Sequence, residues 1–167
     1  MTDVEQVLST IGLTLVDEFS DLTDIEQGTR VTLRLLLAAL LGGVLGLERE
    51  RQGKAAGVRT HMLVCLGAAL FVLVPDVAGA LDDAMSRVIQ GVVAGVGFLG
   101  AGTILKGDAA NQVKGLTTAA GIWLTAAIGV TIGLGHQATG LLCAALALAI
   151  LHLVPLCFAS GAGRDKN

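Results

Sequence analysis

Four long stretches of this 167-residue chain contain no Asp, Glu, Lys or Arg, and they restrict its fold more than any other feature. Apolar runs of about 18 or more residues with few charges are typical of membrane-crossing helices. The composition agrees, because 53% of the residues are hydrophobic and the mean hydropathy is +0.75. We therefore predict an integral membrane protein. The charge-free stretches are 35–47, 60–75, 88–105 and 115–163.

The number of crossings follows from the lengths of these stretches. As a single helix, 115–163 would extend about 73 Å, although the hydrocarbon core is only about 30 Å thick. It must cross twice, and "GLGHQ" at 133–137 is the predicted turn. The first stretch reaches a membrane length only if it begins at Val31 and the long side chain of Arg34 snorkels to the interface. The fold class is therefore an all-α membrane bundle of five helices. The predicted spans are 31–47, 60–76, 88–105, 114–134 and 138–158.

The distribution of charge predicts the orientation. Residues 1–29 contain seven acids and no base, whereas basic residues concentrate in 48–59, between the third and fourth spans, and in the tail. Cytoplasmic loops of membrane proteins are enriched in Lys and Arg. We therefore predict that the N-terminus is outside and the C-terminus cytoplasmic. The predicted domains are an acidic segment at 1–29, a membrane domain at 30–158 and a short cytoplasmic tail at 159–167.

The acidic N-terminal segment has a helical hydrophobic period. Apolar residues recur at spacings of three and four, which predicts an amphipathic helix. Two interpretations stay open: a lid or partner-binding element on the outer surface, or a helix that lies in the membrane interface as an anchor. The apolar positions are Val4, Leu8, Ile11, Leu15 and Phe19.

The stretch "GVGFLGAGT" at 95–103 matches the G-x-G-x-x-G pattern of dinucleotide-binding turns. That pattern binds phosphate only after a strand and at the start of a helix in a soluble unit, and no such context surrounds it here. In lipid, glycines at this spacing allow close helix packing. A broken helix lining an ion site is the open alternative. The predicted packing glycines are Gly91, Gly95, Gly97, Gly100, Gly102, Gly121 and Gly129.

The sequence contains no pattern that predicts catalysis. We find no nucleophile motif, P-loop or paired catalytic carboxylates, and no His, Cys or acid spacing typical of a metal site. We therefore predict that the protein is not an enzyme and has no cofactor or nucleic-acid partner, with Mg²⁺ as an open alternative for the cofactor.

Polar residues near the span ends predict a functional cluster. We expect Glu48 to lie between Arg59 and Lys114, with two threonine hydroxyls completing the network. Thr60 is placed to cap the second span. Membrane anchoring by solvated basic side chains is the alternative interpretation. Asp83 and Arg87 are spaced to pair on one helix face. The predicted cluster comprises Glu48, Lys54, Arg59, Thr60, Asp83, Arg87, Gln90, Lys114, Thr117 and Thr118.

Three blocks of this sequence closely resemble the MgtC/SapB family of bacterial inner-membrane proteins. They are "GLERERQGKAAGVRTHMLV" (46–64), "DAMSRVIQGVVAGVGFLGAGTIL" (83–105) and "VKGLTTAAGIWLTAAIGV" (113–130). Beyond the cluster above, the family-typical positions are Gly57, Gly97, Phe98, Gly100, Ala101, Gly102, Gly115, Leu116 and Trp123.

The resemblance implies a multi-pass protein of the bacterial inner membrane with a role in magnesium homeostasis and adaptation to low magnesium. It further implies regulation of a membrane partner, which in some members is the F-type ATP synthase. The alternative is a carrier of Mg²⁺ or another ion. The chain would be a short form, lacking the soluble C-terminal domain of the virulence members. Besides the lipid bilayer, we expect a homodimer, because small-residue ladders on several helices exceed what one bundle needs.

Overall fold

The computed structural model describes residues 3–20, 22, 24–106 and 113–159. Within these residues the chain forms six helices and one short pair of strands. The helices are α1 (Asp3–Glu18), α2 (Ile25–Arg51), α3 (Val58–Val77), α4 (Asp82–Gly102), α5 (Leu116–Gly133) and α6 (Gln137–Ala159). Strands β1 (Leu105–Lys106) and β2 (Val113–Lys114) pair antiparallel. Helices α2 to α6 are long and apolar enough to cross a membrane, which confirms the predicted all-α membrane fold with five spans.

The chain divides into two compact units, Met1–Leu33 and Arg34–Asn167. In the first unit, α1 is helical as predicted, and apolar residues along it are exposed, including Leu8 and Leu15, as is Phe19 just after its end. An ion pair between Arg30 and Glu26 lies on the first turns of α2. The proposed domain boundaries at residues 29 and 158 remain predictions.

In the second unit, α3 and α5 approach each other closely because α5 presents glycines to the backbone of α3. A methyl group at Gly129 would overlap the carbonyl oxygen of Cys65 and lie 3.0 Å from the Ala68 Cβ. One turn later, a methyl group at Gly133 would lie 2.5 Å from a Val72 methyl carbon. At Gly129, only a glycine fits without moving the neighbouring helix, as a packing role requires.

Helix α2 packs on α3 by the same means. A methyl group at Gly42 would lie 2.5 Å from the carbonyl oxygen of His61, and one at Gly46 would lie 2.6 Å from the Cα atom of Val58. α5 also contacts α4 and α6, so it lies at the centre of this unit. The buried core that joins α2, α3, α5 and α6 consists of Ala38, Leu45, Cys65, Ala69, Ile128, Ile132, Ala144 and Ala147.

The connection between α5 and α6 is the turn predicted from "GLGHQ". Gly135 has φ +87, and the amide of His136 donates to the carbonyl of Thr131 over 3.0 Å. This hydrogen bond across five residues is typical of a helix that ends at a glycine in a Schellman motif. Nearby, Arg34 Nη1 donates to Asp76 Oδ2 over 3.0 Å and to the Gly133 carbonyl over 2.8 Å. Arg34 therefore links α2, α3 and α5, instead of only snorkelling to an interface as its sequence position suggested.

The glycine-rich stretch 95–103 lies almost wholly within α4, which continues unbroken to Gly102. It is therefore not a phosphate-binding turn, as expected, and the alternative of a broken helix is wrong. A methyl group placed at Gly100 would lie 3.6 Å from the Ala119 Cβ on α5, which is an ordinary contact distance. No atom among the described residues lies within 4 Å of a methyl group placed at Gly91, Gly95, Gly97 or Gly102. Helix packing at those four glycines remains a prediction, and it would need a helix of another chain.

Candidate functional site

Several helix ends meet at one end of the bundle, which we call the basic end. Here α2 ends at Arg51, α3 begins at Val58 and α5 begins at Leu116. Among the described residues, two side-chain hydrogen bonds connect the end of α2 with α5 and α6 at this level. Arg49 Nη2 donates to Thr118 Oγ1 over 3.5 Å, and Gln52 Nε2 donates to the Leu151 carbonyl of α6 over 3.3 Å. The basic end therefore joins α2, α5 and α6.

Arg49 is the central residue of the basic end. Its side chain is only 2% exposed, and its Nη1 donates to Gln52 Oε1 over 3.3 Å. Both of its side-chain hydrogen bonds are long, since those of a charged donor are usually about 2.7–2.9 Å when the acceptor is ionised. Its Nε has no partner among the described residues. A buried guanidinium whose hydrogen-bond acceptors are both neutral is costly, so its presence indicates a role beyond stability.

Glu48 lies beside Arg49 on the chain but points towards α6. Its Oε1 accepts a 2.7 Å hydrogen bond from Gln52 Nε2 and lies 3.6 Å from His152 Nδ1. The side chain of Glu48 is 19% exposed, whereas that of His152 is 67% exposed. A continuous chain of polar contacts thus runs from α5 through α2 to α6. We call it the Arg49 network, formed by Thr118, Arg49, Gln52, Glu48 and His152.

The prediction that Glu48 lies between Arg59 and Lys114 was wrong. Arg59 and Lys114 are exposed, and neither forms an ion pair with Glu48 among the described residues. The physical reason is helical register. Arg49 follows Gly42 by seven residues and Gly46 by three, so it shares the face that packs on α3, and Glu48 is rotated by about 100° from it. This register was readable from the sequence, and it would have identified Arg49.

Glu50 holds the loop between α2 and α3. Its Oε2 accepts a 2.9 Å hydrogen bond from the amide of Val58, the first residue of α3. The N-cap residue is Gly57, where a methyl group would lie 2.5 Å from that same carboxylate oxygen. Thr60 lies inside the helix and is exposed, so the prediction that it caps α3 was wrong. A carboxylate from the preceding helix does this instead.

A small cavity of about 150 Å³ lies between α2, α3, α5 and α6 next to the Arg49 network. Three polar residues line it, His61, Thr117 and Thr125, among mainly apolar side chains. His61 is 1% exposed, and its Nδ1 lies 3.0 Å from the Gly57 carbonyl oxygen. On its other side, Nε2 lies 3.6 Å from the position of a methyl group at Gly121. This is an ordinary contact distance, so the packing role of Gly121 remains a prediction.

The ten predicted cluster residues do not form one site. Asp83, Arg87 and Gln90 lie on the first half of α4 and are exposed. Asp83 and Arg87 form no ion pair among the described side chains, contrary to their helical spacing. In the described part of the chain, no group of three His, Cys, Asp or Glu residues could hold a metal ion. The residues brought together at the basic end are Glu48, Lys54, Arg59, Thr60, Lys114, Thr117 and Thr118.

Sequence reasoning missed four residues that the structure brings into these contacts. Gln52 and His152 complete the Arg49 network, and Asp76 pairs with Arg34 at the other end of the bundle. Arg49 alone had a readable signal, its helical register. Asp76, Gln52 and His152 each have a partner that is 42 or more residues distant in sequence. Only the contacts of Gln52 with Glu48 and Arg49 are local.

Comparison with known proteins gives consistent matches. The family model described as "MgtC family" matches residues 35–157. Protein SrpB of Synechococcus elongatus is 52% identical over 123 residues, which cover 67% of this chain and 68% of SrpB. "Putative magnesium transporter YhiD" of Escherichia coli is 46% identical over 128 residues, covering 72% of this chain and 59% of YhiD. Protein MgtC of Salmonella typhimurium is 44% identical over 104 residues, covering 62% of this chain and 43% of MgtC. No solved structure matches.

Proposed function

This chain belongs to the MgtC family of membrane proteins, and from that premise we propose that it acts in adaptation to low magnesium by regulating a membrane partner. The membrane is the bacterial inner membrane, and the F-type ATP synthase is the partner to test first. The matched segment spans less than two thirds of YhiD and of MgtC, so their whole activities are not carried over with it.

The observation that supports regulation is the buried Arg49. An arginine side chain stays protonated in proteins, so the bundle has a fixed positive charge at its basic end. Such a charge repels Mg²⁺ and favours carboxylates, which a protein partner can supply. The exposed His152 and the half-buried Glu48 connect Arg49 to the surface. A partner that contacts them would change the hydrogen bonds of a buried charge, and through it the packing of α2 against α5.

A complementation experiment tests this proposal. The chain and its variants are expressed in a bacterium that lacks its own MgtC-family protein, and growth is measured in low-magnesium medium. We expect the unchanged chain to restore growth and Arg49→Gln to fail, although immunoblots show equal amounts in the membrane. Arg30→Gln, which changes an exposed arginine in the first turns of α2, is the matched control and should restore growth. Equal growth with Arg49→Gln and Arg30→Gln would refute a functional role for the Arg49 network.

Transport of Mg²⁺ is the second candidate function, and the similarity to the "Putative magnesium transporter YhiD" favours it. Purified protein in liposomes loaded with a magnesium-sensitive dye separates the two. Dye signal above that of protein-free liposomes would establish a carrier. If the chain restores growth but gives no signal, regulation is the better account.

We also propose that the basic end faces the cytoplasm and that two copies associate. Arg49, Arg51, Lys54, Arg59 and Lys114 lie at that end, as expected for a cytoplasmic surface. Labelling of single cysteines introduced in the 51–59 loop from the outside of intact cells would contradict this orientation.

For association, the supporting feature is an apolar groove of about 620 Å³ between α3 and α4. It is bordered by Gly67, Gly91 and Gly95, where another helix could approach closely. Crosslinking in native membranes should yield dimers, and a monomer alone would contradict the proposal.

A further inference from the structure

The loop after α2 separates its acidic from its basic side chains. In sequence, Glu48, Arg49, Glu50 and Arg51 alternate in sign, so this stretch has no net charge. In the structure, both carboxylates are bound by the chain itself: Glu48 by Gln52, and Glu50 by the amide of Val58. The bases that follow are free of these contacts and exposed. Because Lys54 and Arg59 follow without a further acid, bases outnumber acids in 48–59 and this loop has a net positive charge.

This surface comprises Arg51, Lys54 and Arg59, and we call it the basic rim. The loop carrying it has a defined conformation. Gly53 has φ +67, and the amide of Lys54 donates to the Arg49 carbonyl over 3.0 Å, which ends α2 in a glycine-terminated cap. The bond from Val58 to Glu50 fixes the other end of the loop. The basic rim is thus held in place before any ligand arrives, which lowers the entropic cost of binding.

The position of the basic rim selects its ligand. Arg51 is the last residue of the membrane-crossing helix α2, and Arg59 is the second residue of the membrane-crossing helix α3. Side chains at such helix ends lie at the depth of the lipid headgroups. The anions present at this depth throughout the membrane are headgroup phosphates, and Arg and Lys are the side chains that bind phosphate best.

We propose that the basic rim binds the phosphodiester headgroup of an anionic phospholipid, with Arg51, Lys54 and Arg59 as its ligands. This site is separate from the Arg49 network and does not depend on the proposed regulatory function. Lys114 at the start of α5 is also exposed at the basic end and adds to the positive potential. Glu48 and Glu50 keep their negative charge, but their carboxylates accept hydrogen bonds from Gln52 and Val58, and the four bases in 48–59 outnumber them.

Native mass spectrometry of the purified chain tests this proposal. The protein in uncharged detergent receives equal amounts of phosphatidylglycerol and phosphatidylcholine with the same acyl chains. We expect bound phosphatidylglycerol to predominate. Each basic residue near an anionic lipid surface contributes about fivefold in affinity, so the Arg51→Gln/Lys54→Gln/Arg59→Gln variant should lose on the order of 100-fold. Arg87→Gln, which removes an exposed arginine from α4, should retain the preference.

Several results would overturn the proposal. One is equal binding of the two lipids by the unchanged chain, and another is an undiminished preference in the triple variant. If free glycerol phosphate displaces phosphatidylglycerol at equal concentration, the site recognises soluble phosphate and the assignment to lipid is wrong. The single variants Arg51→Gln and Lys54→Gln cover the case in which the triple variant does not fold, since each should lose about fivefold.

Discussion

Replacing Gly129 by alanine should destabilise the bundle, whereas the same change at Gly95 should not. Both glycines lie inside apolar helices, α5 and α4, and both belong to small-residue ladders in the sequence. They differ in what surrounds them. A methyl group at Gly129 would overlap the carbonyl oxygen of Cys65, whereas one at Gly95 would have no neighbour within 4 Å among the described residues.

The expected magnitude follows from these surroundings. At Gly129 the overlap is with backbone, so α3 and α5 must move apart, and overpacking of this kind costs about 1–3 kcal/mol. The upper value applies because no side chain can rotate away. Alanine recovers about 1 kcal/mol of helix propensity, which leaves a loss of about 2 kcal/mol. At Gly95 only the propensity term operates, so Gly95→Ala should gain up to about 1 kcal/mol.

Unfolding in mixed micelles with increasing dodecyl sulfate measures both variants. Helix content, followed by circular dichroism, gives the free energy of unfolding for each. A loss of about 2 kcal/mol lowers the folding equilibrium constant roughly 30-fold. Gly133→Ala should behave like Gly129→Ala, because it too would meet the backbone of α3. If Gly129→Ala is as stable as Gly95→Ala, the close approach of α3 and α5 is wrong.

Three further predictions use the same unfolding measurement. Arg34→Ala and Asp76→Ala should each destabilise the bundle, and a double-mutant cycle should give a coupling of about 0.5–1 kcal/mol, since this pair is partly exposed; additive effects would disprove the pairing. Gly53→Ala should cost about 1–2 kcal/mol because φ is +67 there, and no loss would contradict the left-handed cap. Arg49→Met should leave the bundle as stable or more stable yet abolish growth in low magnesium, and a large loss of stability would show that Arg49 is structural.

The five spans were predictable because one physical cost determines them. A charged side chain at the centre of a bilayer costs several kcal/mol, so charge-free stretches mark the helices directly. The fourth predicted span, 114–134, corresponds to α5 at Leu116–Gly133. The turn predicted after it contains Gly135 in the left-handed conformation. The third predicted span began six residues late, at 88, because α4 starts at Asp82 with two exposed acids in its first turn. Acids are favourable at that position of a helix, so charge does not mark its start.

The candidate site was less predictable because it depends on how each helix is rotated. Charge counting placed Glu48 and Arg59 at the correct end of the bundle but could not show which side chain points inward. Helical register could have done so for Arg49, which continues the face of Gly42 and Gly46. Helical register could not have predicted the contact between Glu48 and His152, because that contact depends on the position of α6 relative to α2. No local sequence pattern encodes the distance between two helices that are far apart in the chain.

The glycine ladders show why spacing alone cannot assign a packing partner. A G-x-x-x-G pattern means that a helix can be approached closely, without specifying by which helix. α5 contacts α3, α4 and α6, so its glycines must be met from within the chain, as Gly129 is by Cys65. α4 contacts α3 and α5, and its Gly91 and Gly95 border the open groove beside α3. Because the same pattern is satisfied in one helix and left open in the other, the open one is where a second chain or lipid must supply the contact.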